Sequence, residues 1–518
     1  MVARPPFLRV GRCRAFALQA TAAAWLLGLL ELSTIAAGKP NVLLICVDDL
    51  KPALGCYGDR LAKTPNIDRL AARGMRFDLA FCNQAVCAPS RNGLMLGSRS
   101  TSIGIYSLGE HFRQAVPNAV TLSQYFKQHG WRAESIGKIL HTGHGNHDDA
   151  ASWSVPAVPD KVVEYLRPES TAGGQLTREE AYFSNQHLGA IGSLPRGAAW
   201  ENADVPDNAY ADGRIADEGI RRLRNAKAKP AQPLFLALGF VKPHLPFTAP
   251  GKYWDMHDRS AFTPAANRSP PTGAPAYAGK TLLELTNYEP VPAQPPLNAE
   301  LQRTLIHGYY AATSFVDAQI GRVLDELDQL GLAEKTIVVL WGDHGWHLGD
   351  HGAWTKHTNY EQANRIPLLV VASGVTRPGT HTRQLAETVD VFPTLVELAG
   401  LPKPTVPQPL DGVSLTPVLR NPAARVRDHA YHAFPRQRDG EQVIGRAIRT
   451  ERHRLVEWKK PGANPDTADL ELYDYVAEPL ETKNLASTQP AVVAELRAIL
   501  SRHPEAKIRI QPGKKKGR

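Results

Sequence analysis

Cysteine is scarce. The 518 residues hold five, and Cys13 falls in an N-terminal segment that reads as a leader. The other four, Cys46, Cys56, Cys82 and Cys87, are too few and too clustered for a disulfide framework, and a chain this long builds enough core without staples. A Cys82–Cys87 or Cys56–Cys82 bridge stays open. No C-x-x-C pair exists, which disfavours a zinc knuckle. Long apolar runs are missing as well: beyond the leader no segment reaches the about 18 apolar residues of a membrane span, so no stable membrane insertion is expected. There is no internal repeat. The formal charge is +9, but Arg4, Arg9, Arg12 and Arg14 at one end and Lys514, Lys515, Lys516 and Arg518 at the other supply nearly all of it. The body is close to neutral and carries no nucleic-acid footprint; residues 511–518 read as a solvated basic tail.

The leader itself has an informative order. Four arginines precede AFALQATAAAWLLGLL, and small residues follow at Ser33 to Gly38. That is the pattern of a secretory signal over residues 1–38, with Glu31 spoiling it as a membrane anchor. An exported protein, periplasmic or extracellular, is the expectation.

Continuous apolar, β-branched runs mark strands buried on both faces: 41–47, 131–136, 234–238, 336–341 and 367–371. Helical spacing alternates with them at 64–71, 120–128, 206–223 and 301–330, the last with Leu305, Tyr309, Ala312, Val316, Ile320 and Val323 along one face. Strand–helix alternation predicts an α/β fold with a mostly parallel sheet and helices on both faces, whose ligands bind beyond the carboxyl ends of strands. After residue 420 the texture changes to short strands near 443–450 and 454–458 and a closing helix at 491–501, a small α+β subdomain. The expected division is a catalytic domain at 39–420, a C-terminal subdomain at 421–510 and the tail. Residues 142–205 and 248–298, rich in Pro, Gly and Asn, look like long insertions that wall a site.

Two of the predicted strand ends carry acid clusters, Asp48-Asp49 and Asp343-His344. Either pair alone could be a solvated cap. Brought together by the sheet they would make an oxygen-rich site with one imidazole, suited to Ca²⁺ or Mg²⁺ rather than zinc. Lys138 and His141 follow the 131–136 strand, His244 follows 234–238, and Lys356 follows 336–341. Singly each reads more simply as a packed or solvated residue; jointly they would form an anion-binding, proton-transferring pocket around a divalent cation. What such a pocket lacks is a nucleophile, and Cys87 in QAVCAPSRNGLMLG could be core filler, a ligand or that nucleophile.

Cys87-x-Pro89-Ser90-Arg91, followed by Met95-Leu96-Gly97, resembles the signature of the type I sulfatase family, whose cysteine is oxidised to formylglycine. NVLLICVDDL, GCYGD, TPNIDRLA, SIGKILH, KPHLPF, GDHGWHLGDHGAWTK and ELYDYVAEPLETKNLA resemble segments of the same family in the same order. DDLKPALGCYGD, QAVCAPSR, GKILH and DHGWHLGDHG are most similar to its iduronate-2-sulfatase branch. The resemblance implies an alkaline-phosphatase-like sandwich with a small antiparallel C-terminal sheet. It implies one Ca²⁺ held by Asp48, Asp49, Asp343, His344 and the modified Cys87, and a formylglycine-generating enzyme as maturation partner. Cys87, hydrated as formylglycine, would attack the sulfur of a sulfated saccharide, with a uronate-containing glycan as the expected substrate. Arg91 and Lys138 would balance the charge at position 87, and Lys356 and His244 would bind sulfate oxygens. His244 would protonate the leaving oxygen, and His141 would take the proton that releases sulfate. The chain departs from the branch at His347, where a small residue is usual, in lacking its later cysteines, and across 142–232. A phosphonate monoester or phosphodiester hydrolase and a non-catalytic glycan binder are the alternatives.

Overall fold

The computed structural model describes residues 1–3, 6, 38–279 and 282–510. The apolar stretch of the expected signal and the basic tail at 511–518 lie outside the described residues. The runs of Val, Leu and Ile become the central sheet. Its strands are β1 (Asn41–Val47), β2 (Met75–Phe77), β3 (Arg132–Gly137), β4 (Leu234–Phe240), β5 (Thr336–Gly342), β6 (Leu368–Val371) and β7 (Thr380–Thr382). They lie side by side as β7-β2-β6-β5-β1-β4-β3. The block β5-β1-β4-β3 is parallel throughout, while β6 runs antiparallel to both β5 and β2. The sheet is therefore mostly parallel, with one reversed strand that a fully buried apolar run gives no means of orienting.

The flanking helices are α1 (Pro65–Arg73), α2 (Cys87–Leu96), α3 (Leu122–Gln128), α4 (Arg178–Ser184), α5 (Ala211–Lys227), α6 (Ala299–Gln329), α7 (Val391–Leu398) and α8 (Pro490–Leu500). The alternation of β1 explains why they cover both faces. Val42, Leu44 and Cys46 point into one core with Leu94, Leu122, Phe126, Phe392 and Leu395. Leu43, Ile45 and Val47 point into another with Ile67, Leu70, Ile215, Val316, Ile320 and Val323. A Leu-to-Ala cavity at such a fully enclosed position costs about 2–5 kcal/mol, so the frame that carries the strand ends is stiff.

Two expected helices start late. The 206–223 segment opens as a 3₁₀ turn at Asp207–Ala209 before α5, and α3 begins at Leu122, where the side chain of Thr121 accepts from the backbone N–H of Gln124. The C-terminal part is an antiparallel meander of β8 (Ala430–Arg438), β9 (Glu441–Arg449), β10 (His453–Lys459) and β11 (Asp469–Asp474). Helix α8 closes it, packing Val493, Leu496 and Leu500 onto Ile444, Ile448, Leu455 and Leu472. Cys46, Cys56, Cys82 and Cys87 are free thiols, which closes the disulfide alternatives.

Candidate active site

Parallel neighbours end at the same edge of a sheet, and here that edge collects the charge. Val47 and Gly342 are register partners, so Asp48-Asp49 and Asp343-His344 leave β1 and β5 together. The Asp49 amide donates to Asp343 Oδ1 at 3.0 Å across 294 residues of sequence. Asp49 adopts φ 58°, a left-handed conformation that aspartate tolerates better than most residues. On the other side β4 and β3 bring His244 and Lys138; the Lys138 amide donates to the carbonyl of Gly239 at 2.9 Å. A Cβ at Gly239 would meet the Lys138 backbone at 2.2 Å, so only glycine lets these two strand ends close.

Cys87 is the first residue of α2, a helix buried along its whole length. Its Sγ lies 3.2 Å from His344 Nε2. One turn on, Arg91 is fully enclosed and joins the strand ends. Its Nε donates to Asp343 Oδ2 and one terminal nitrogen to Asp48 Oδ1, both at 3.0 Å. The other terminal nitrogen donates to the carbonyls of Lys138 and Ile139. Lys138 in turn donates its Nζ to Asp48 Oδ2. Arg91 and Lys138 thus pin Asp48 from both sides, while Ser90 Oγ donates to the Asp343 carbonyl and ties α2 to β5.

Lys356 and His244 face each other at the mouth, Nζ to Nε2 at 3.4 Å. Lys356 also pairs with Asp49 Oδ2 at 3.1 Å and with Glu284 Oε2 at 2.6 Å. The second oxygen of Glu284 reaches His244 Nε2 at 3.3 Å, so one carboxylate spans both groups. His244 Nδ1 donates to the Leu245 carbonyl at 2.5 Å, leaving Nε2 for the pocket. His141, buried, meets His144 at 3.3 Å. A cavity of about 340 Å³ opens over this floor, lined by Cys87, His141, His244 and Lys356 and walled by Glu179, Tyr182, Phe183, Glu284 and Asn287.

Four carboxylates (Asp48, Asp49, Asp343 and Glu284) meet three permanent cations (Arg91, Lys138 and Lys356) in this space. The imbalance shows in the ionisation. Burial, and then the neighbouring acids, push Asp49 well up and Asp343 to about 7. Burial would raise Asp48 too, but Lys138 and Arg91 hold it well below the usual range. Lys356 is kept an ammonium by Asp49 against its burial. His244 and His344 are driven well below the ordinary imidazole range by burial and then by Lys356, and are neutral. Burial also lifts the Cys87 thiol far up, which without a cation beside it favours the thiol over the nucleophilic thiolate.

A divalent cation fits these residues. Ligand atoms of Asp48, Asp49, Cys87 and His344 lie within 4.8 Å of one another, all buried. Asp49 Oδ1 is enclosed and has no hydrogen-bond partner, a costly state for a carboxylate unless an ion takes it up. Asp343 borders the group, with Oδ1 accepting from two backbone amides and Oδ2 from Arg91.

Every residue singled out in the sequence lies at this edge of the sheet: Asp48, Asp49, Cys87, Arg91, Lys138, His141, His244, Asp343, His344 and Lys356. His347 lies behind the floor, bonded to Asp350 and, at 2.8 Å, to Thr358 Oγ1, where it braces the loop that carries Lys356. Sequence reasoning missed Glu284, Glu179, Asn287, His144 and the Tyr182–Phe183 wall. For α4 a signal existed: Thr177-x-x-Glu180 is a capping box, formed in the structure, and it announces a helix inside the segment read as irregular. Glu284 lies on a 3₁₀ turn, Leu283–Asn287, with no comparable mark.

A mostly parallel sheet with an acid-and-imidazole cluster at its carboxyl edge, set beside two buried lysines, has an alkaline-phosphatase-like architecture and the groups a hydrolase of charged esters needs. Residues 40–401 match the family model described as Sulfatase, and residues 349–505 the one described as N-sulphoglucosamine sulphohydrolase, C-terminal. Mouse iduronate 2-sulfatase is 33% identical over 86% of this chain and 90% of its own length. In fold the chain resembles a structure solved with its substrate D-glucosamine-2-N,6-O-disulfate (TM-score 0.68, 21% identity, 90% of this chain and 97% of that one). It also resembles the phosphonate monoester hydrolase of Silicibacter pomeroyi (TM-score 0.68, 22% identity, 90% and 95%). The chain belongs to the sulfatase family, and it is a sulfatase enzyme. No helix among the described residues is long and apolar enough to cross a membrane.

Proposed function

We propose that this protein is an exported, calcium-dependent sulfuric ester hydrolase that removes sulfate from a sulfated saccharide, with Cys87 converted to formylglycine. The observation that carries the reading is the Asp48–Asp49–Cys87–His344 cluster directly beside Lys356 and His244. A buried, protonated thiol could do little there as a nucleophile. Oxidised and hydrated, position 87 offers a hydroxyl nucleophile and a second hydroxyl that ejects the bound sulfate from within, where a simple ester would wait for water. Asp48, Asp49, Asp343, His344 and position 87 are the residues that would hold Ca²⁺, whose chemistry is to polarise oxygens and offset charge.

The remaining residues divide the work. Lys356 and His244 bind sulfate oxygens at the place the Glu284 carboxylate spans. Arg91 and Lys138 fix Asp48 and supply positive charge beside position 87. His244, neutral at rest, becomes the proton donor to the leaving oxygen once a negative ester sits against it. His141 takes the proton released as sulfate departs. The similarity to iduronate 2-sulfatase supports a uronate-containing glycan as substrate. Residues 39–420 then form the catalytic part and 421–510 a C-terminal subdomain, with the signal removed on export and a formylglycine-generating enzyme acting beforehand.

The tryptic peptide Phe77–Arg91, taken from protein made in its own host, tests the nucleophile. Loss of the Cys87 sulfur and gain of an aldehyde are expected, and an intact thiol in active enzyme would sink the mechanism. Cys87→Ala should lose at least about a thousandfold in kcat, as removal of a nucleophile does. Metal binding has its own readout. Ca²⁺ should raise the melting midpoint, because it binds only the folded cluster, and Asp49→Asn should abolish the rise. A midpoint indifferent to Ca²⁺ counts against the site. Turnover of an aryl sulfate should exceed that of an aryl phosphodiester; the reverse order would transfer the reading to phosphoester chemistry. A panel of sulfated uronate disaccharides then tests the sugar.

A further inference from the structure

His144 is held in a conformation that residues other than glycine rarely adopt, with φ 55° between Gly143 at 100° and Gly145 at 88°. Such backbone persists only where its surroundings impose it, and it clusters at functional sites. Here the surroundings are specific. The His144 amide donates to the Tyr182 carbonyl at 2.8 Å. Its ring stacks on Tyr182 at 4.6 Å and 12°, and stands edge-on to Phe183 at 5.1 Å. The Gly145 amide donates to Asn185 Oδ1 at 2.7 Å. All of this presents one ring nitrogen, Nδ1, to His141 Nε2 at 3.3 Å, while the ring itself lines the cavity. His141 Nδ1 is buried and has no hydrogen-bond partner.

We propose that His144 is a positioning and relay residue: it fixes His141 in the Nε2–H tautomer, so that Nδ1 is the base, and it carries the proton from His141 to water in the cavity. The inference rests on the hydrolase mechanism above. A hydrogen bond between the two rings requires one donor and one acceptor. With Nε2–H donating to His144 Nδ1, the orphaned His141 Nδ1 is a lone pair, which suits a base; the opposite arrangement would bury an unsatisfied N–H. When sulfate leaves position 87, the O–H bond of the remaining hydroxyl breaks and its electron pair forms the C=O bond. The C–O bond to sulfate breaks with its pair going to sulfate. The proton goes to His141 Nδ1, the Nε2 proton passes to His144 Nδ1, and His144 Nε2 releases its own to water. Rehydration of the carbonyl runs the same path backwards, so each turnover restores both rings. Lys138, Lys356, Arg91 and His357 surround the pair with positive or neutral groups; the acids that face it are Asp48 and, from the walls of the same cavity, Glu179 and Glu284. Burial, and then Lys138, keep both imidazoles neutral, as a relay needs, with His144 at about 3.

Two measurements test this. In histidine ¹⁵N-labelled protein, two-bond ¹H–¹⁵N correlations assign the tautomers whether or not position 87 is modified. His141 should be the Nε2–H form, and the Nδ1–H form overturns the proposal. The second uses His144→Asn, because asparagine tolerates positive φ. With aryl sulfate its kcat should fall about tenfold to a hundredfold, KM should change little, and imidazole in the buffer should restore the rate as pH rises through about 6.5. A folded variant with unchanged kcat, or one that imidazole does not rescue, overturns the relay. If the variant fails to fold, the tautomer assignment in the unsubstituted protein decides. Wild-type enzyme inactive on aryl sulfate, with a thiol at position 87, would instead remove the underlying mechanism.

Discussion

At the scale of single residues, the most consequential contact is the one Glu284 makes with Lys356 and His244. A carboxylate and a sulfate group present similar oxygens to the Lys356 ammonium, and to His244 once Nε2 is protonated, so the side chain and the substrate compete for one place. Glu284→Gln should therefore tighten inhibition by inorganic sulfate by about five- to tenfold, roughly 1–1.4 kcal/mol, and lower KM for the ester. Inhibition that stays the same or weakens would show that Glu284 does not compete with the anion. Asp48, Asp49, Lys138, His141, His244, Asp343 and His344 were legible in the sequence because each follows a buried strand, and strand ends are where such folds place ligands; Cys87 and Arg91, inside α2, were legible only through the signature they share with the family. Glu284 and Glu179 were not, because they come from segments whose path is set by turns and packing rather than by any period. Glu179 has a further distinction: burial, and then Glu284, push it up to about 8, so at neutral pH it is largely a carboxylic acid that can donate to a sugar oxygen.

Among the elements, the loop after β5 is held from behind by the C-terminal sheet. Glu361 makes a paired contact with Arg449 on β9 at 3.0 Å, and Asn359 donates to the Gly445 carbonyl at 3.0 Å. Glu481 accepts from the Glu361 amide at 3.2 Å and pairs with Arg454 and His351. Lys356 lies on this loop. Arg449→Met leaves Glu361 without its partner in a largely enclosed place, a loss of about 3–5 kcal/mol; urea midpoints should fall, and KM should rise more than kcat drops. A fall in stability with an unchanged KM would separate the sheet from the pocket. The strands and long helices were readable from periods of 2.0 and 3.6. The direction of β6 was not, since a run buried on both faces looks the same from either end. Strands β8 and β11 were missed for a related reason, their mixed polar and apolar residues giving weaker alternation than β9 and β10.

Across the whole molecule, acid should be harmful. Among the described residues eleven imidazoles are depressed by burial first, with His111, His257 and His503 each at about 4. Their unfolded counterparts take up protons near 6.5, so between about 6.5 and 4 the unfolded chain binds more protons and stability drops as pH falls. Raised carboxyls work the other way, gaining protons on folding, among them Glu179 at about 8, Asp212 and Asp343 at about 7, Asp317 at about 6, and Asp49, but they are fewer than the depressed imidazoles. Glu387 and Glu481, held at about 2 because Arg427 and Arg454 outweigh their burial, add a further loss below about 4.5. The melting midpoint should be lower at pH 5 than at pH 7.5; a higher one would mean that the raised carboxyls dominate.

The complete burial of α2 also sets an order of events. Arg91 and Ser90 are locked to Asp343, just past the end of β5 and made some 250 residues after Cys87, so this helix stays open until that late segment arrives and is shut afterwards. If Cys87 is oxidised as proposed, the enzyme working on its side chain would therefore race against folding. At about 5–20 residues per second of synthesis it has a window of tens of seconds. On that proposal, chains that miss it would fold well and stay inert, so specific activity in a preparation would measure the outcome of that race as much as the quality of the catalyst.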